Sequence, residues 1–196
     1  MSILVLTSDT LIGTPATGNI EYNGQFFGTD SNASRAQMQR IVRATSVAST
    51  SGTSIDFASL PSWIKRITVI FSGVSTNGTS DYQIRIGTGG SVTTSGYAAT
   101  NVSTAASAIG TTAYTSGFVF VVAGSAANTH SGSIKISNIT GNTWVSDGFV
   151  ASTDTARGNI SAGYLALGGV LDIVRITTVN GTDTFDAGSV NILYEG

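Results

Sequence analysis

The sequence predicts an all-β chain: an antiparallel, jelly-roll-like β-sandwich preceded by an extended arm and a small hairpin. Three observations carry this expectation. Short runs rich in β-branched and aromatic residues recur along the 196 residues, bounded by Gly, Asn, Asp and Ser clusters, the pattern of sandwiches and barrels. Asn-Gly or Gly-Asn pairs separate such runs at 23–24, 77–78, 141–142 and 180–181, where tolerance of positive φ favours tight turns. Helical signals are almost absent, and the strands follow no fixed period, so neither a solenoid nor a propeller is expected.

Residues 7–18, TSDTLIGTPATG, read as an extended, turn-rich arm. In NIEYNGQFF a two-residue turn at Asn23-Gly24 would pair Tyr22 with Gln25, Glu21 with Phe26 and Ile20 with Phe27. Phe26 and Phe27 would then point to opposite faces, more than a lone hairpin can bury. Ile20, Tyr22, Phe26 and Phe27 are therefore candidate docking residues, for sister chains or an assembly partner. A short helix is expected after Asn32 or Ser34 as N-cap. QRIVRATSVAS is β-branched and reads as a strand, which sets the division into an arm and hairpin over 1–44 and a sandwich over 45–196.

IKRITVIFSGV and YQIRIGT flank Asn77-Gly78 and predict a hairpin whose paired positions sum to 155. Phe71 would face Ile84, Val69 would face Ile86 and Tyr82 would lie across from Gly73. One face would carry Val69, Phe71, Tyr82, Ile84 and Ile86, the other Thr68, Ser72, Gln83 and Arg85, with Ile70 breaking the polar face as a candidate contact with a partner. Residues 117–124, GFVFVVAG, form a continuous apolar run and read as a buried strand. SIKISNI and TWVSDGFVA flank Gly141-Asn142 as a second hairpin, with Trp144 beside its turn. YLALGGVLDIV is apolar with a glycine break, the mark of a bend or bulge. A last hairpin turns at Asn180-Gly181, setting Ile176 against Phe185 and Val179 against Thr182, and its final strand completes a sheet.

Charged residues make up only 10% of the chain, against a usual share of about 25%. A mean hydropathy of +0.23 argues against disorder. So little charge leaves a 20.0 kDa monomer poorly protected against association, and an obligate homo-oligomer is expected. The net charge of -2 and the lack of a basic block give nucleic-acid binding no electrostatic support. Cysteine is absent, which excludes disulfides and thiolate metal sites. No apolar run approaches a membrane span, and the apolar stretch over 3–6 is too short, and lacks the basic flank, for a secretory signal. The six Asn-X-Ser/Thr sequons fit chance in a chain this rich in Asn, Ser and Thr.

No cofactor, metal or enzymatic activity is expected. His130 is the single histidine; Ser131 beside it sits on the wrong side of a strand alternation to be its nucleophile, and a loop or surface position is the simpler expectation. Asp183 and Asp186 could form a hydrolytic carboxylate pair, or join Asp172 in a Ca²⁺ site, but Asp in a turn-rich stretch more often bonds local N–H groups. Thr88-Gly89-Gly90 lacks the ending of a phosphate-binding loop. Arg35, Arg40, Arg43, Lys65 and Arg66 form a sparse basic group, suited to a solvated face or inter-subunit ion pairs. Trp144 and Tyr97 are candidate surface-binding residues that could stack on sugar rings, as could Tyr114; Trp63, after Leu60-Pro61-Ser62, is expected to plug the core.

GTPATGNIEYNGQFFGTDSNASRAQMQRI, GTSIDFASLPSWIKRITVIFSGVSTNGTSDYQIRIGT and the closing RITTVNGTDTFDAGSVNILYEG together resemble bacteriophage tail fibre and tail proteins of the C-terminal β-sandwich type. The likeness extends from about residue 13 onward. It implies a structural virion protein, commonly trimeric, in contact with other virion proteins and with a host surface glycan, acting in adhesion rather than catalysis. Without a long fibrous shaft, a capsid, collar or neck decoration protein is the alternative. A lectin module independent of a particle is a further one.

Overall fold

A computed structural model describes residues 11, 14, 16–23, 25–32, 34–105, 108–123 and 125–196. Among these there is no helix, and all strand pairs are antiparallel. The chain divides into two compact units, residues 1–40 and 41–196.

The first unit holds a three-stranded sheet of β1 (Ile20–Tyr22), β2 (Phe26–Thr29) and β3 (Arg35–Gln37). Most of the expected arm over 7–18 lies outside the described residues, as does Gly24 of the expected turn. The pairing is shifted by one from the two-residue expectation: Tyr22 faces Phe26, Glu21 faces Phe27 and Ile20 faces Gly28. A three-residue loop brings the Tyr22 and Phe26 rings to 5.0 Å, an aromatic contact the predicted register would have lost. The expected helix after Asn32 is instead a turn and β3. Asp30 Oδ1 accepts from the N–H groups of Asn32 and Ser34, both at 2.9 Å, and this Asx turn delivers the chain into a strand.

The second unit contributes β4 (Ile41–Arg43), β5 (Val47–Ala48), β6 (Ser54–Phe57), β7 (Arg66–Thr76), β8 (Tyr82–Thr88), β9 (Ser91–Val92), β10 (Ala98–Ala105), β11 (Ala108–Tyr114), β12 (Phe118–Val121), β13 (His130–Thr140), β14 (Thr143–Ser152), β15 (Arg157–Ala166), β16 (Ile173–Thr178) and β17 (Phe185–Glu195). A nine-stranded sheet runs β11-β10-β15-β14-β13-β7-β17-β4, with β5 also on β17. A five-stranded sheet runs β12-β8-β16-β6, with β9 on β8. Both sheets contribute to one apolar core. Val69, Phe71, Ile134, Ile136 and Ile192 come from the larger sheet, and Ile84, Ile86, Phe118, Phe120 and Ile176 from the smaller. The Phe71 and Phe120 rings stack at 4.3 Å across the two.

Two predicted hairpins are not hairpins. β7 pairs with β13 and β17, whereas β8 pairs with β12, β16 and β9. β16 and β17 likewise belong to different sheets. Period-2 alternation correctly gives the buried faces: Val69, Phe71, Tyr82, Ile84 and Ile86 are all in the core. It does not say whether two such faces lie side by side or opposite each other. Here they lie opposite, which buries both against apolar partners. The connections at 77–81 and 179–184 are arches between sheets, joined to each other. Asn77 N–H donates to Thr184 O at 2.9 Å, Thr184 N–H to Asn77 Oδ1 at 2.8 Å, and Ser80 N–H to Asp183 Oδ2 at 2.9 Å. The Asp183 carboxylate packs so closely on Gly78 that a Cβ there would lie 2.0 Å from Oδ2. Only Gly181 of the four Asn-Gly residues has positive φ, so neither pair makes a type I′ turn.

The Gly141-Asn142 hairpin is present, joining β13 to β14 with Thr140 opposite Thr143 and a one-residue bulge at Ile139. Residues 118–121 form a strand buried throughout. The Gly168-Gly169 break separates β15 of one sheet from β16 of the other. β17 is not an edge: β4 and β5 cover its outer side.

Candidate functional site

His130 opens β13 facing inward. It is 1% exposed, not the loop or surface residue expected. Its Nδ1 lies 3.1 Å from Ser152 Oγ, and the Tyr82 ring meets it edge-on at 5.0 Å. The predicted β13–β14 turn already sets residue 130 opposite 153; the bulge at Ile139 moves the partner to Ser152. Burial pushes the imidazole down to about 4; the Asp154 carboxylate opposes this and Arg157 adds to it. A serine–histidine contact invites a nucleophilic reading, but both residues are buried and no substrate face is open to them. The pair bridges two strands inside the core.

A polar seam lies nearby on the inner face of β10, β15 and β14. Asn101 Nδ2 donates to Val119 O at 3.4 Å, and Val122 N–H donates to Asn159 Oδ1 at 3.0 Å. These two buried amides clip β12 and the residue just beyond it, Val122; β12 pairs with β8 along its other edge. They satisfy backbone groups that a further strand would otherwise take. Asn101 Oδ1, Asn159 Nδ2, Ser146 Oγ, Ser161 Oγ and Trp144 Nε1 are buried without a protein partner.

The outward face of the nine-stranded sheet differs in kind. Register places Asn191, Ile70, Ser133, Phe149, Ile160, Val102 and Thr111 in one row across seven strands. Phe149 is 53% and Ile160 55% exposed. The next row carries Lys135 opposite Asp147, paired at 3.0 Å. On the other side, Ser131, Ala151, Gly158, Thr104 and Ile109 form an uncharged row. A depression of about 490 Å³ opens beside Phe149, between Thr68, Lys135 and Asp147. The face is an apolar stripe set among hydroxyls, with the Lys135–Asp147 ion pair in the next row and the Arg66–Glu195 pair in the row beyond that.

The two candidate surface-binding residues are interior. Trp144 is 4% exposed and sits opposite Leu165 on the inner face of β14. Tyr97 is 2% exposed: its ring meets Phe118 edge-on at 4.9 Å, and its hydroxyl accepts from Ile86 N–H at 2.8 Å and bonds Thr93 O at 3.1 Å. Burial raises the Tyr97 phenol to about 12, against the opposing effects of the Ile86 backbone bond and Arg85. Neither ring can stack on a sugar from these positions. Tyr114 donates to Asp81 Oδ2 at 2.6 Å, and burial followed by that carboxylate raises its phenol. Trp63 packs against the core with its ring 5.7 Å from Tyr194.

In the first unit, Ile20, Tyr22 and Phe26 share one sheet face, with Ile20 69% exposed; Phe27 lies on the other, with Glu21 and its ion pair to Arg35 at 2.6 Å. Asp183 serves the arches, also accepting from Asn180 Nδ2 at 2.6 Å, and Asp186 accepts from the Ser75 hydroxyl. Asp172 accepts from Gly90 N–H at 3.0 Å. Arg66 pairs with Glu195, which raises the guanidinium and lowers the carboxyl. Among the described residues, no group of three or more His, Cys, Asp or Glu could hold a metal ion, and no helix is long and apolar enough to cross a membrane.

Sequence patterning missed the apolar stripe except at Ile70, because its residues come from strands whose neighbours it did not know. Alternation within β15 points the wrong way, since its outward positions Gly158, Ile160, Ala162, Tyr164 and Ala166 are more apolar than its inward Arg157, Asn159, Ser161, Gly163 and Leu165, and in β14 the two parities are equally mixed. No protein-family model, curated protein or solved structure matches the chain.

Proposed function

We propose that this chain is a non-enzymatic structural protein of a bacteriophage particle, of the tail fibre or receptor-binding type, working as a homotrimer. The observation that carries the reading is the outward face of the nine-stranded sheet. Its row of Ile70, Phe149, Ile160 and Val102 crosses the sheet with one self-neutralised ion pair beside it. Phe149 and Ile160 are about half exposed, so covering each in a subunit contact is worth roughly 1–1.5 kcal/mol, and the charges on the face are already paired with each other. The trimer number and the phage setting rest on the sequence resemblance.

Strand order supports a jelly-roll reading of the second unit. With β4, β6, β7, β8, β12, β13, β16 and β17 taken as successive strands, the first pairs with the last, the second with the seventh, the third with the sixth and the fourth with the fifth. The pairs alternate between the two sheets, and β17–β7 and β16–β8 close each sheet. β10, β11, β14 and β15 are then additions that widen one sheet. Jelly rolls recur in viral capsid and lectin domains, so the topology also suits the decoration-protein alternative. The lectin alternative loses its two proposed stacking residues.

The experiment is the double variant Phe149→Lys with Ile160→Lys. It should break the sheet-face contact and so lower the mass of the purified protein, while leaving its unfolding midpoint nearly unchanged, and it should be missing from particles assembled in its presence. A variant that keeps the wild-type mass and enters particles normally would overturn the reading.

A further inference from the structure

Four edges close the two sheets of the second unit, and three of them are blunted. The β17 side ends in two short strands, β4 and β5, with Arg43 inside the first. β6 is four residues long and carries Asp56 in a bidentate pair with Arg175, at 2.7 and 2.6 Å. β12 is clipped by Asn101 and Asn159. β11 is different. Among the described residues, its seven, AIGTTAY, pair with β10 on one side only. They contain no charge and no proline, and all but Tyr114 are exposed. Open rows of N–H and C=O on such a strand are a template for another strand, and natural edges of this length are normally protected.

We propose that β11 is a pairing edge for the β11 of a second copy of this chain, joining two nine-stranded sheets across a two-fold axis at Thr111. Three features select a copy over an unrelated strand. The edge is neutral, so a charged partner finds nothing to complement, while a copy meets no repulsion. An antiparallel copy centred on Thr111, the middle residue, sets Ile109 against Ala113 twice, so a large side chain faces a small one at both ends. Thr111 also ends the apolar row through Val102, Ile160 and Phe149. With the axis perpendicular to the sheet, that row runs unbroken from one copy into the next. A two-fold contact is self-complementary and closes on itself, so it links subunits in pairs and leaves the sheet face free for its own contact.

The test uses charge at the axis. Thr111→Lys places two ammonium groups across from each other in the paired state, and Thr111→Glu does the same with carboxylates; in a mixture each meets its opposite. Each variant alone should weaken pairing at least tenfold in sedimentation equilibrium, and an equimolar mixture should recover it. The measurement is made in the Phe149→Lys, Ile160→Lys background, so failure of the sheet-face contact is seen separately as an unchanged mass on adding those lysines. Amide exchange at residues 108–114 should slow with rising protein concentration in the Thr111 parent and stay fast in both single variants. Identical association of parent and variants, no recovery on mixing, or fast exchange at all concentrations would overturn the proposal.

Discussion

The second unit has two halves built on different interiors. Where β7, β13 and β17 face β8, β12 and β16, the core is aliphatic and aromatic, and polar members such as Tyr82 are bonded, here to Thr76 Oγ1 at 3.1 Å, although His130 Nε2 at its margin has no protein partner. Where β10, β14 and β15 extend the larger sheet, the inner face carries Asn101, Asn159, Ser146 and Ser161. The first half closes by burying apolar surface. The second lacks a full opposing sheet and closes by bonding side-chain amides to the β12 backbone. An added set of strands can thus be fixed by a few polar clips where there is too little apolar surface to face it, at the cost of orphaned polar atoms.

Breaking each half should give different signatures. Phe71→Ala removes the ring stacked on Phe120 from the apolar half and should cost about 3–5 kcal/mol, read as a lower midpoint in urea with an unchanged slope. His130, at the margin between the halves, makes stability depend on pH. Its folded value near 4 lies below the ordinary 6.5, so the unfolded chain binds the extra proton between those values. The stability from keeping it neutral is complete above pH 6.5 and drains as pH falls to about 4, by roughly 3 kcal/mol at 1.36 kcal/mol per unit. His130→Gln should flatten this part of the profile. Asn159→Ala strands the Val122 N–H and should cost about 1–3 kcal/mol, with faster amide exchange confined to β12 and β15. Ser161→Ala removes a hydroxyl that has no protein partner, and should change stability by less than about 0.5 kcal/mol. A large loss there would mean that the seam is bonded through ordered water.

The same contrast explains what could be read from the sequence. In the apolar half, alternation gave the strands and their buried faces, because Val69, Phe71, Ile84 and Ile86 are apolar at every second position. Alternation fixes a face and not a neighbour, so two arches containing Asn-Gly were expected to be hairpins. The β13–β14 hairpin was legible because its neighbours in sequence are also its neighbours in the sheet. In the polar half, Trp144, beside a turn, and Tyr97 are candidate surface-binding residues in the sequence, on the expectation that they lie at exposed loop tips. Both turn inward, Trp144 on the same face as Leu165 and Tyr97 against Phe118. The candidate face was the least legible part: Ile70 lies 79 residues before Phe149 and 90 before Ile160, and only cross-strand register assembles them.

The central claim is that the outward face of the nine-stranded sheet is buried against other copies of the chain. Light scattering of the purified protein at micromolar concentration tests it most directly. The account predicts a mass at least three times that of the 20.0 kDa chain, falling on substitution of Phe149 and Ile160 by lysine. A wild-type protein that scatters as a monomer would contradict it.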